Sequence, residues 1–419
     1  MSEEKLIQSV SSLPIDTILN DGYYRIEQSS PNEYTHNYFK YPCKFIPEIP
    51  RWAIKKYSTE NDWIFDPFAG SGTSVLEANL LNRNAYYTEI DEVAKLLILT
   101  KTTPLGESSQ KCALEFLENI QTPLEEAKNH IPQINNLEHW FDWEAVSALS
   151  NIKAHIDTVD NSELKNFLLI CFASIIKKVS NADSVSPKPY VSTKVKKQKF
   201  NAYVEFIDTT KKYLNNMQAY ANLKTTSKCV LVDGDALNFT LPQKVTLAVT
   251  SPPYINAFDY ARTMRLENIW LGLQNESSLL EKKKDYVGTE KIRKDYIIPE
   301  DSVTNQLKSL SILTEAIRQK DPKRATIVEK FFYDMEKNIS LTSEALKDGG
   351  VYVIVIGNSE IRQVLIESWK ILLEIAQQYS FDFELHFEYL IQNPYIRIPR
   401  GNKSKAIKTD HVLVLRKKV

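Results

Sequence analysis

The chain is poor in glycine, poor in cysteine and almost without net charge, and it has no long apolar run. Four cysteines, Cys43, Cys112, Cys171 and Cys229, lie far apart with no Cys-x-x-Cys pair. That spacing excludes a disulfide framework and the common zinc ribbons, so buried reduced thiols and no metal are expected. Fifty-two basic side chains against fifty-three acidic ones give no global field, so any surface for a polyanion must be a local patch. No stretch of about 18 apolar residues occurs, and the opening MSEEKLIQSV has no basic start followed by an apolar core. A soluble, cytoplasmic protein is expected. With 43% apolar residues over 419 positions, it has ample material for a core.

Only 11 glycines are present, yet two of them flank one serine in FDPFAGSGTSVLEA, directly after the apolar stretch Trp63-Ile64-Phe65. Glycine marks places where the backbone turns sharply or where another molecule approaches it closely. The surrounding pattern is a strand ending at Asp66, a glycine loop, a helix from Thr73 to Leu81 and a second strand from Ala85 to Ile90. Such a β-α-β unit implies a parallel sheet, with ligands beyond the carboxyl ends of its strands. A helix over Glu48 to Tyr57 precedes it, with Pro47 and Pro50 near its start, where proline is tolerated.

A mostly helical stretch follows, with helices expected over 112–131, 143–159, 164–179 and 203–223. Between the last two lies KKVSNADSVSPKPYVSTKVKKQKF, whose prolines exclude a helix. Its lysines, Lys188, Lys194, Lys196, Lys197 and Lys199 among them, face the single acid Asp183. A solvated loop is the ordinary reading of such a charge run; the interleaved Tyr190 and Phe200 raise the alternative of a loop that grips a phosphate backbone. Strands then resume in CVLVDGDALNF, VTLAVTSPPY and GGVYVIVIGNS, and DFELHFEYLIQ with DHVLVLRK forms an expected antiparallel pair. One sheet, interrupted and then completed, is implied.

The glycine loop lacks the Gly-Lys-Ser/Thr of a P-loop and the spacing of G-x-G-x-x-G. An acid at the second strand's end, Glu89, is placed to accept from ribose hydroxyls, with Asp91 as an alternative. A carboxylate at the first strand's end, Asp66, repels phosphate and suits an ammonium group. The implied ligand carries an amine and a sugar. In TSPPYINAFDY, two prolines after a strand remove two donors and stiffen the backbone, leaving acceptors beside an aromatic ring. A proline-stiffened strand exit with a core tyrosine is the structural alternative.

Together, D-P-F-x-G-S-G-T at 66–73 and T-S-P-P-Y at 250–254 resemble the amino-methylating DNA methyltransferases. The stretch HNYFKYPCKFIPEIPRWAI resembles an H-x-x-x-x-Y-P-x-K-F-x-P element of one branch of that family, and SPPYINAFDYARTMRLENIWLG fits the extended catalytic motif. The resemblance covers roughly 34–100 and 229–272, and 346–419 more loosely. It implies S-adenosylmethionine as cofactor and an exocyclic amine of cytosine or adenine in double-stranded DNA as substrate. It also implies a Rossmann-like α/β methyltransferase fold: a mostly parallel twisted sheet, an antiparallel C-terminal strand pair and a mainly helical inserted subdomain.

By position, the resemblance assigns Asp66, Phe68, Gly70, Gly72 and Thr73 to the methionine part of the cofactor, with His36 and Lys44 near its carboxylate. Glu89 takes the ribose, Asp235 the adenine amine with Ala236 beside it, and Ser251, Pro252, Pro253 and Tyr254 the catalytic loop. Serine at the first catalytic position points to cytosine N4 over adenine N6. The corresponding division is 1–100 for the cofactor half, 101–228 for a helical, DNA-contacting insertion, and 229–419 for the catalytic half with a second insertion at 275–330. A cognate restriction endonuclease is the partner such enzymes often accompany. An RNA guanine methyltransferase and a non-catalytic nucleic-acid binder remain as alternatives.

Overall fold

The computed structural model describes all of the chain except residues 1–6, 11–16, 31–32, 45, 195, 224, 256–258 and 393–407. Phe45 of the upstream motif and residues 256–258 of the extended catalytic motif therefore lie outside the described residues. Nine strands make one sheet. In chain order they are β1 (Ile7–Val10), β2 (Gly22–Ile26), β3 (Trp63–Asp66), β4 (Asn84–Tyr87), β5 (Cys229–Leu231), β6 (Val245–Thr250), β7 (Leu346–Gly357), β8 (Phe381–Leu390) and β9 (Thr409–Lys417).

Across the sheet the order is β1-β2-β8-β9-β7-β6-β3-β4-β5. Every pairing is parallel except those of β9, which runs antiparallel to both β7 and β8. This is a Rossmann-like methyltransferase sheet. Val351–Ile356 of β7 is a buried apolar run, and β6 is apolar apart from its threonines, because helices cover both faces of the sheet. From β3 the chain winds outward to β4 and β5, then returns to place β6 on the other side of β3. The strand order reverses there, and the crevice beyond β3 and β6 is the expected ligand position.

The helices used below are α1 (Glu48–Tyr57), α2 (Thr73–Leu80), α3 (Glu92–Thr102), α4 (Glu107–Asn119), α5 (Trp143–Asp157), α6 (Ser162–Val179), α7 (Ala202–Ala221), α8 (Arg265–Trp270), α9 (Glu276–Lys282), α10 (Pro322–Ala345) and α11 (Ser368–Gln378). Helix α1 packs Ile49, Trp52 and Ile54 on one face of the sheet, while α10 and α11 bring Phe331, Met335 and Ile375 to the other. Helices α5 to α7 share a third core with Leu76 of α2, Val93 and Leu97 of α3 and Trp270 of α8. The helical stretch is thus fused to the cofactor half through common apolar packing. Truncating Phe172, which is fully buried and packs edge-on to Trp270, would cost about 3–5 kcal/mol.

Two sequence expectations change, and two strands had no expectation to match. The helix expected over 112–131 is two pieces, α4 and a 3-10 turn over Glu125–His130, because Pro123 stops propagation between them. Strands β1 and β2 extend the sheet beyond the C-terminal pair, with β2 pairing parallel to β8. Of the four cysteines expected to be buried, Cys43 and Cys112 are exposed and only Cys171 is fully buried.

Candidate active site

Strand β3 delivers Asp66, the glycine loop and then α2. Gly72 takes φ 73° at the helix start, and a Cβ there would meet Ile98 Cγ1 at 2.8 Å. Gly70 takes φ 52°, also left-handed. Beneath the loop, Asp66 Oδ1 accepts from Phe68 N at 3.0 Å and from Thr250 Oγ1 at 2.5 Å, and Oδ2 accepts from the Ser74 hydroxyl. Burial pushes the Asp66 carboxyl up to about 6, against these hydrogen bonds. From the other side, the buried Lys101 donates to Ser71 O at 2.7 Å, its ammonium weakened by desolvation.

At the end of β4, Glu89 Oε2 accepts from Gly70 N at 2.7 Å, and Oε1 accepts from the Ile90 and Asp91 amides, each at 2.8 Å. Burial, only partly offset by these bonds, raises its carboxyl to about 7. Asp91 is occupied elsewhere. It caps α3 through Ala94 N at 3.0 Å and faces Asn268 Nδ2 and Tyr286 OH, both at 3.2 Å. Asp235 fixes its own turn by accepting from Leu237 N at 2.7 Å. The Ala236 carbonyl accepts from Asn338 Nδ2 at 2.7 Å, and Asn338 in turn accepts from Tyr352 OH at 2.6 Å.

One cleft gathers these parts. Lys44, Phe68, Gly70, Thr73, Glu89, Asp235 and Ala236 line it together with Ser251 and Pro253, around about 760 Å³ of space open to solvent. The two motifs, 177 residues apart from Thr73 to Thr250, therefore meet at one sheet edge. His36, Asp66, Gly72, Pro252 and Tyr254 are not among the lining residues. His36 is turned to Glu77 of α2 at 2.8 Å, and Arg51 forks onto the same carboxylate at 2.8 Å through Nε and a terminal nitrogen. Lys44 Nζ donates to the His36 carbonyl at 2.9 Å, so His36 stands behind Lys44. The Tyr254 hydroxyl donates to the buried Asp410, whose other oxygen accepts from Tyr389 OH at 3.0 Å.

A family model described as DNA methylase matches residues 5–99, the stretch that contains the glycine loop and Glu89. Over that stretch the chain is similar to the amino-methylating DNA methyltransferases. It is 27% identical to "Type II methyltransferase M.MvaI" of Kocuria varians over 95% of this chain and 94% of that protein. It is 22% identical to "Type II methyltransferase M.AvaI" of Nostoc sp. over 93% and 86%. To "Type II methyltransferase M.BsoBI" of Geobacillus stearothermophilus it is 25% identical over 59% and 55%. S-adenosylmethionine is the cofactor of this methyltransferase.

Among the lining residues Tyr286 carried no sequence signal, whereas Tyr41 and Tyr260 lie in the two stretches that resemble the family. Tyr41, Tyr260 and Tyr286 form a run of parallel rings, with centroids 6.2 Å apart at 25° and 6.0 Å apart at 9°. Asp285, Tyr286 and Val287 belong to the second insertion expected at 275–330, yet they line the same cleft as the glycine loop. A lone tyrosine among charges reads as surface, and only the fold reveals its place. Cys43 also lines the cleft.

The lysine loop divides in two. Lys197 is half-buried and donates to Lys177 O at 2.7 Å and Ser180 O at 2.8 Å, capping the end of α6; desolvation lowers its pKa to about 8. Lys199 pairs with Asp142. Lys188, Lys194 and Lys196 are exposed. Among the described residues, no helix is long and apolar enough to cross a membrane.

Proposed function

We propose that this DNA methyltransferase modifies the exocyclic amine of a flipped base, cytosine N4 in preference to adenine N6, as the modification enzyme of a restriction-modification system. The named relatives, all Type II methyltransferases, support the setting, with a cognate endonuclease as partner. The observation that carries the reading is that Ser251 and Pro253 share one cleft with Gly70, Glu89 and Asp235.

The lining suits S-adenosylmethionine. Apolar Phe68, Leu237 and Val287 alternate with the acids Glu89 and Asp235, as a ligand with an aromatic ring, a sugar and a positive charge requires. Glu89 would hold the ribose hydroxyls, Asp235 the adenine amine, and Lys44 the methionine carboxylate. Asp66, with its oxygens engaged, holds the loop in shape and adds negative charge beneath it. When bound, the cofactor supplies a methyl group activated on a sulfonium.

The amine of a base is a weak nucleophile because its lone pair is delocalised into the ring. Acceptors on its N–H bonds localise that pair, and the Ser251 hydroxyl and Pro252 carbonyl are the acceptors the rigid loop offers. Proline at 252 and 253 removes two competing donors. Aromatic faces offset the few kcal/mol that flipping costs, since each base stacked on an aromatic gains about 1–3 kcal/mol. Tyr254 is held for this by Asp410. The acceleration then rests on alignment of amine and methyl.

The helical block over 101–228, with Lys188, Lys194 and Lys196 exposed on its loop, would supply DNA contacts, joined by part of 275–330. Incubation with labelled cofactor and either duplex DNA or tRNA, followed by mass spectrometry of the nucleosides, tests the proposal. N4-methylcytosine from DNA is expected. N6-methyladenine would overturn the base assignment, and label only in tRNA would overturn the substrate class.

A further inference from the structure

Strands β8 and β9 bury two imidazoles side by side, away from the cofactor cleft. His386 and His411 are 1% and 4% exposed. His411 stands opposite Glu388 across the strand pair, and His386 lies two residues before Glu388, so all three side chains share one face of the sheet. His386 Nε2 is 3.0 Å from His411 Nδ1, which is 4.0 Å from Glu388 Oε1. Trp369 of α11 covers the pair, its ring 3.8 Å from that of His386 at 9°. Behind them, His386 Nδ1 lies 2.8 Å from Asp21 Oδ1.

This arrangement has a direction. Asp21 accepts a hydrogen bond from Nδ1–H and so leaves a lone pair on Nε2, aimed at His411. A carboxylate behind a histidine, fixing its tautomer and ring, is the usual support of a metal-bound imidazole. Two imidazole nitrogens and one carboxylate oxygen within 4.8 Å of one another are a donor set for a borderline divalent ion. The nitrogen spacing of 3.0 Å suits two ligands each about 2.0–2.1 Å from one ion.

We propose that His386, His411 and Glu388 bind one zinc-type divalent cation, with Asp21 orienting His386. The ion takes the place of the proton between the two imidazoles, and His411 carries its own proton on Nε2. Glu388 closes on the ion by side-chain rotation. The ion would tie β8 to β9 one residue from Asp410 and, through Asp21, anchor the segment leading into β2. The role is structural, and no step of methyl transfer uses the ion.

The test uses the full, tag-free chain, stripped by a chelator. Zn²⁺ is titrated calorimetrically and Co²⁺ by its visible absorption, with S-adenosylmethionine binding measured on the same samples as a control of folding. One equivalent of each metal and a higher Tm with Zn²⁺ are expected. Asp21→Asn should weaken binding about 10–100-fold, and His411→Ala more than that. Where an alanine variant loses cofactor binding as well, Glu388→Gln and His411→Gln are read in its place. A chain that binds S-adenosylmethionine but takes up no stoichiometric metal would overturn the site, as would ligand variants with undiminished metal affinity.

Discussion

The Thr250 hydroxyl donates to Asp66 Oδ1 at 2.5 Å and so joins the tips of β6 and β3 across 184 residues of sequence. Both side chains are buried, at 0% and 1% exposure. The bond fixes the strand that ends in the Pro-Pro loop to the strand that ends in the glycine loop. Thr250→Val keeps the shape and removes the donor, leaving a buried carboxylate oxygen with the Phe68 amide alone. A loss of about 1–3 kcal/mol in urea denaturation is expected, with kcat falling more than cofactor affinity. Unchanged stability and turnover would show that the two loops are registered by other contacts.

Glu89, proposed to hold the ribose, should make cofactor binding depend on pH. Burial raises its carboxyl to about 7 in the folded chain, above the ordinary value of 4.5. Between those values the native state binds more protons than the unfolded state, so this group's contribution to stability falls as pH rises through the window. The ionised form is the better acceptor for ribose hydroxyls. Affinity for S-adenosylmethionine should therefore rise with pH up to about 7, with proton release on binding. Calorimetry in buffers of different ionisation enthalpy reads that release. Glu89→Gln should weaken binding and abolish the slope, whereas a slope that survives the substitution would place the titration on another group.

Those two sites differ in how far the sequence betrayed them. The glycine loop and the Pro-Pro loop were legible because backbone constraints show directly as residue types, and β6 and the 351–356 stretch of β7 because strands covered on both faces become largely apolar. Strands β1 and β2 are only four and five residues long, and β2 is ordered by pairing with β8 more than 350 residues away. Neither property leaves a local pattern. Lys197 lies in a charge run that reads as solvated, yet its ammonium closes the end of α6. Tyr286 looks like a surface residue among lysines until the fold brings it under Tyr260.

Asp410 was hidden for a similar reason, since an acid near a strand terminus reads as exposed. It is buried, raised by desolvation, and receives the hydroxyls of both Tyr254 and Tyr389. Asp410→Ala and Tyr254→Phe each break the link that holds the Tyr254 ring. Both should lower kcat about tenfold or more with cofactor affinity within twofold of the parent, if each missing hydrogen bond to a charged acceptor is worth about 1.5–3 kcal/mol. Because they break the same link, the double variant should be no worse than either single one by much. Full additivity would mean that Asp410 acts through Tyr389 instead.

The lysine loop separates binding from folding within a few residues. Lys188, Lys194 and Lys196 point to solvent, whereas Lys197 is committed to two carbonyls at the end of α6. Replacing the three exposed lysines with glutamine should weaken DNA binding alike at all sequences. The slope of log K against log salt should become shallower by about 0.9 for each phosphate no longer neutralised, with the Tm unchanged. Lys197→Ala should do the reverse, lowering the Tm through two buried carbonyls stripped of their donor while leaving the salt slope nearly intact. Fluorescence anisotropy of duplex DNA over a salt series, paired with thermal denaturation, distinguishes the two outcomes. If the triple variant keeps the parent's slope, the DNA phosphates are held elsewhere on the protein.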